Sequence, residues 1–565
     1  MLIPRDHAFT RGRSLAVGLL STMMLAACGG GSNPQLPRDV GANSSASSSS
    51  NSSSSSSSST PALVVQDAPL GWVNHYINDK TGNQHPISGG EGATAESTYV
   101  VTNRKEFRDA LANVNSPTYA TDPAAARLEP KIIYVKGTIY GNQLDDGSFA
   151  DENYYRVTPN NSRFFFDLYV KHYDQEYRDA LQKKIDETGD QAAKDELDLI
   201  SRSEGGRRSQ FANQQKAVIE FTVPANTSIL GVGDDAKLVD GYLSINTLNT
   251  LKDAVDPTNS NIIIRNMEFQ APLDLAPAWS PSDGEHGNWN ARYKAITVIT
   301  GRNIWIDHCT FSDGEHPDYL EPRPLPVYLP EEQRKLIQRH DGLLDIEDGS
   351  DFITISYSIF KDHDKTLMIG SGDSRGARYD RDGNLEEGSD RDRNRITFYG
   401  NLWENSTQRS PRVRFGKVHL FNNYYVGDTD QEEYKTSYAI GMGVESSILS
   451  ESNVFEYTGS KANVDLILDN YYGYQFKDNG SWLNGTAIST ELEASAKTKT
   501  EAKRTAAENA NNKLKETDRF IIGDFTTNLG WTPPYEYTTG ASAEAVKHYV
   551  LENAGAGKLN IQPPQ

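Results

Sequence analysis

One phrase recurs along this chain: a short run of β-branched and aromatic residues, a polar residue or two, then a closing aromatic. It reads NIIIRNMEF, NIWIDHCTF, FITISYSIF, RITFYGNLW, VHLFNNYY and SILSESNVF, closing at Phe269, Phe311, Phe360, Trp403, Tyr425 and Phe455. Trp403 and Tyr425 are 22 residues apart; Phe269 and Phe311 are 42 apart, Phe360 and Trp403 are 43 apart, each close to two such periods. A period in the low twenties means a solenoid, in which each repeat buries its apolar face against the next. The run residues suit strands, and the Leu framework of leucine-rich repeats is absent. The expected fold is all-β: a right-handed parallel β-helix, its strands about 4.8 Å apart along the axis.

The rest of the chain hangs on that coil. Strand-like runs begin near Tyr99 and Lys131, then the pattern breaks at about 164–215. There Tyr173, Tyr177, Leu181 and Ile185 recur every four residues, a helical stripe that predicts a helical insertion. Strands resume at AVIEFTVPANTSILGVG, and the coil runs to about Tyr457. Long polar loops at 312–339 and 371–394 are expected on one face, where solenoids build binding sites. The Asp and Glu spacing of the second loop does not fit an EF-hand. Residues 490–516 and Ala543 to Asn553 read as helices that wrap the coil, the latter capped by Ser542.

Residues 1–28 are read as a lipoprotein signal peptide. Arg5, Arg11 and Arg13 precede an apolar run from Leu15 to Leu25, and Leu25-Ala26-Ala27-Cys28 resembles a bacterial lipobox with Cys28 as the lipidated residue. Residues 29–65 form a Ser-rich flexible linker, and 66–565 the β-helix domain. The expectation is an extracytoplasmic monomer, lipid-anchored to the bacterial outer membrane or cell surface, or secreted. Cys309, the other cysteine, is expected as a small buried residue of a rung. A net charge of −21 across 565 residues argues against nucleic-acid binding. A polyanionic substrate would need a local basic site on this acidic protein.

Such a site is offered by TQRSPRVRFGKVHLFNNYY and HDGLLDIEDGSDFITISYSIFKDHDKTLMIGSGDS. With WNARYKAITVI, NIWIDHCTFSDG, VPANTSILGVG, KDNGSWLNG and ENAGAGKL, these phrases resemble polysaccharide lyase family 1, the pectate lyases, over most of the chain from about residue 70. The resemblance implies cleavage of polygalacturonate by β-elimination. Removing a proton α to a carboxylate needs a base in reach and cations around the developing enediolate. The family's R-x-P-x-x-R motif is Arg409-Ser410-Pro411-Arg412-Val413-Arg414 here, which puts the base on Arg409. Guanidinium has a reference pKa above about 12, so a base there needs surrounding positive charge. Lys365, Arg412 and Arg414 could supply it; Lys365 and Arg414 would bind substrate carboxylates, with Arg412 and Lys294 as further substrate-binding residues.

The resemblance also implies a Ca²⁺ site, with Asp341 and Asp345 as one pair of ligands. The other ligands would lie in Trp289-Asn290-Ala291-Arg292-Tyr293-Lys294, where Arg292 and Lys294 stand in place of acids. Three outcomes stay open. Lys294 pairs with Asp341 or Asp345 and supplies the positive charge, as in the related metal-free pectin lyases. Or Ca²⁺ binds only with substrate. Or the groove merely binds uronan without catalysis. Asp307 and His308 are expected to be structural, as are Asn422 and Asn423; Trp289 and Tyr293 could stack on sugars or pack in the core.

Overall fold

The computed structural model describes residues 63–78, 81–157, 162–246, 259–377 and 388–564. Cys28 and nearly all of the Ser-rich segment lie outside them, as do residues 378–387 of the second long loop.

Strands stack in three parallel ladders. One runs through Leu344–Glu347, Leu367–Ile369, Arg412–Val413 and Ile440–Gly443, each paired with the next. A second runs through Arg302–Asp307, Asp351–Ser356, Arg395–Tyr399 and Lys417–Phe421. The third runs through Thr310–Ser312, Ile359–Lys365, Leu402–Gln408 and Tyr424–Asp428. The chain visits the three in turn, which is the parallel β-helix expected from the repeat. Side chains alternate across each strand, so every second residue enters the coil.

The six closing aromatics form one continuous ladder inside it. Ring centroids lie 5.0 Å apart for Phe269–Phe311, 4.9 Å for Phe311–Phe360 and 4.4 Å for Phe360–Trp403, with planes within 13°. Trp403–Tyr425 and Tyr425–Phe455 continue it at 5.8 and 4.6 Å. Such pairs contribute roughly 0.5–1.5 kcal/mol each beyond area burial. Asn401, Asn423 and Asn453 make a second ladder at a corner, each side-chain oxygen accepting the backbone N–H of the residue one rung before. Buried main-chain donors at the bends are satisfied this way. Asp307 accepts from Arg265 and Ser356 and pairs with His308, all within the wall of the coil. Cys309 is fully buried.

The insertion is helical. It contains Phe166–His172, Gln175–Thr188, Gln191–Ser201 and Arg208–Ile219. Leu181, Ala193 and Ile200 form its own small core with Tyr177 and Ile185 packed on it. Its inner face buries Phe164, Tyr169 and Phe211 against Trp279, Trp289 and Tyr293. Trp289 and Tyr293 are thus core residues and have no ring face for a sugar. Tyr293 also donates to the Ala212 carbonyl at 2.5 Å, which ties the segment beside Lys294 to the insertion. At the far end, Ser489–Asn511 and Ala543–Asn553 are helices, and Ser542 caps the second. Among the described residues no helix is long and apolar enough to cross a membrane.

Candidate active site

The site grows from register. Asp345 lies level with Met368, and Met368 with Arg412, on three successive rungs. On the neighbouring ladder Lys365 lies level with Gln408. The chain then turns, and the Leu367 N–H donates to the Arg409 carbonyl. Arg409 has a φ of +62° and precedes a cis Ser410–Pro411 bond. One corner of the coil therefore carries Asp341, Asp345, Lys365, Arg409, Arg412 and Arg414 within adjacent rungs.

Lys294 occupies the middle of the acidic side. Its Nζ lies 2.7 Å from Asp341 Oδ2, 3.6 Å from Asp345 Oδ2 and 3.9 Å from Glu347 Oε1. Burial alone would lower the Lys294 pKa, but the three acids outweigh it and raise it above the ordinary lysine value. Burial likewise pushes Asp341 up, yet Lys294, then Lys365 and Arg409, hold it below the usual carboxylate range. Asp345 is pushed up by burial, and Glu347 to about 7 for the same reason. Lys365 and Arg409 both act on the Asp341 carboxylate.

The cations are held from behind. Lys365 donates to Gln338 Oε1 at 2.7 Å, and Gln338 and Gln408 both donate to Asp364. Gln338 comes from the long loop at 312–339, which thereby joins the site. Arg414 donates to Asp373 at 2.7 Å and to the Gly370 carbonyl at 3.1 Å. Arg412 stacks on Tyr471, its Cζ 3.8 Å from the ring centroid, and burial with Arg414 and Arg409 nearby lowers its pKa. Arg409 Nε is buried without a hydrogen-bond partner.

The pattern of residues and fold has counterparts. The family model described as pectate lyase matches residues 200–559. The chain belongs to the pectate lyase family. Pectate lyase of Bacillus subtilis is 35% identical over 84% of this chain and 90% of its own length. Pectate lyase A of Dickeya chrysanthemi is 32% identical over 71% of this chain and 76% of its own. Among solved structures, a pectate lyase bound to a hexasaccharide superposes with a TM-score of 0.63 at 30% identity, covering 86% of this chain and 99% of that one.

For this pectate lyase, two readings of the sequence change. Arg292 is exposed and points away from the acids: its guanidinium donates to Asn213 on the helical insertion and its N–H to Asp274. The segment from 291 to 294 is not a strand, and Arg292 and Lys294, both standing where acids are expected, turn to different partners. Glu347 is a third acid at Lys294 that the motif did not point to.

A second buried network was also missed. His363 Nδ1 meets Asp313 Oδ1 at 2.5 Å and its Nε2 meets the Asp341 carbonyl at 2.6 Å. Tyr434 donates to the other Asp313 oxygen. Both ring nitrogens face acceptors, so both must carry protons. Burial would lower the His363 pKa, but Asp313 raises it to about 9.

The donor set does not fit Ca²⁺. Oxygen ligands must surround that ion, and here an ammonium sits between the two aspartates. Among the described residues no group of three or more His, Cys, Asp or Glu side chains is arranged to hold a metal.

Proposed function

We propose that this pectate lyase cleaves (1→4)-α-D-galacturonan with Arg409 as the base. Neutral Arg409 takes the C5 proton. The C5–H pair becomes the C4=C5 double bond, the C4–O bond breaks with its electrons on the leaving oxygen, and that oxygen takes a proton. The products are a 4,5-unsaturated oligogalacturonide and a shortened chain. Lys365 and Arg414 bind carboxylates, Arg414 exchanging Asp373 for the uronate. Arg412 lowers the cost of a neutral Arg409 through its charge. The observation that carries this reading is the buried Arg409 Nε without a hydrogen-bond partner, one residue past Gln408, which lies level with Lys365.

A trough crowded with cations favours free uronate over its methyl ester, which offers no charge to bind. Polygalacturonate is therefore the expected substrate ahead of methylated pectin. The test is ultraviolet absorbance of unsaturated product from each polymer. Binding of polygalacturonate with no such product would instead make this a uronan-binding protein.

The lipobox-like sequence ending at Cys28 supports a lipid anchor and an extracytoplasmic location for the enzyme. Labelling with radioactive palmitate, lost in Cys28→Ser, tests it.

A further inference from the structure

We propose that Lys294 is the permanent cation of this active site and that the lyase needs no divalent metal. The inference rests on the lyase reading above and concerns what stabilises the enediolate. Asp341 and Asp345 are the oxygen donors that a cation in this corner would use, and Lys294 Nζ is already 2.7 Å and 3.6 Å from them. Glu347, at 3.9 Å, adds a third negative group.

The position is built to hold the ammonium. Asp345 is fixed by the Met368 N–H on its other oxygen. The Asp341 main chain is fixed by His363 on its carbonyl and by the Tyr293 carbonyl on its N–H. Tyr293, next to Lys294, is pinned by the insertion through Ala212. A metal entering between the aspartates would have to expel a lysine whose side chain is 17% exposed and would leave it near the displacing ion. Conversely, part of the Lys294 side chain stays exposed, beside an Asp341 on which Lys365 and Arg409 also act. A substrate carboxylate placed there would meet a charge that no chelator removes.

The test has two independent arms. The first measures unsaturated product from polygalacturonate in excess EDTA and in added calcium; kcat/KM should differ by less than about twofold. Lys294→Gln should lose about 10²–10³-fold, the usual effect of deleting a donor to a developing oxyanion, and calcium should not restore it. A loss of activity in EDTA that calcium reverses in the wild type overturns the proposal. The second arm follows melting temperature and heat of calcium binding without substrate. The wild type should show neither; Lys294→Asp, with three aspartates together, should melt higher as calcium is added. Calcium binding by the wild type that Asp341→Ala abolishes also overturns it. If Lys294→Asp does not fold, Lys294→Gln, which adds no charge, serves in the same measurement and should stay silent. No product under any condition would sink the lyase reading, while the calorimetric arm would still decide the role of Lys294.

Discussion

Lys365 lies directly across from Gln408 on the adjacent rung, one residue short of Arg409. Two cations that close would repel. The acids around Lys294 offset this from one side, with both Lys365 and Arg409 acting on Asp341. The pairing follows from strand register, which a single-residue slip would destroy.

Arg409→Ala and Arg409→Lys should each lower kcat by at least about 10³-fold, as removal of a positioned base does. Circular dichroism and melting should stay near wild type, since the Arg409 side chain makes no hydrogen bond at Nε. Stopped product formation with an intact fold is the expected pair of results; substantial activity in both variants would remove Arg409 as the base.

Lys365→Ala should act mainly on KM. The ammonium is held by Gln338 in readiness for a carboxylate. A charge-assisted contact is about twice as strong as a neutral one, so kcat/KM should fall roughly 10- to 100-fold. Gln338→Ala should give a smaller loss in the same direction, read from initial rates across polygalacturonate concentrations.

His363 predicts a pH dependence of stability. Its folded pKa, about 9, lies above the ordinary 6.5, so the protonated ring stabilises the fold. That contribution is complete below about 6.5 and is lost as pH rises through about 9. Melting temperature should therefore fall across that window in the wild type and fall less in His363→Gln. Asp318 and Asp364 also act on the ring, and the ring acts in turn on His340, so the window belongs to the group.

Trp403→Ala should destabilise by about 3–5 kcal/mol, the usual cost of truncating a buried aromatic. Trp403 is 1% exposed and stacked on both sides. Trp403→Phe keeps a ring in the ladder and should cost much less. Chemical denaturation of both variants measures the difference.

Much of this was legible in the sequence because it repeats. All six aromatics that close the recurring phrase meet in one ladder, because the phrase itself fixes the strand and the depth of each ring. Its spacing does not, since Phe269 and Phe311, 42 residues apart, and Phe360 and Trp403, 43 apart, sit on adjacent rungs joined by one long turn and not two periods apart. Lys294 in the acid pair was also open to reading, because the motif names the positions and the charge is the wrong sign for a ligand. Arg292 stands where the resemblance expects an acid, but it lies in an irregular stretch between two strands and turns to Asn213 on the insertion, which the motif gives no way to read. The Asp313–His363–Tyr434 network was invisible for a different reason. Tyr434 reaches Asp313 across 121 residues of chain from a loop with no repeat. Trp289 and Tyr293 gave no hint of which way they faced; the insertion that buries them decides it.

The ladder of rings has a consequence for how such an enzyme can diversify. A stack whose units touch only their immediate neighbours transmits little from one edge to another. Loops and helices hung outside it can lengthen, shorten or change composition while the inner column keeps its spacing. Polymer selectivity can thus be retuned at the periphery without moving the inner column.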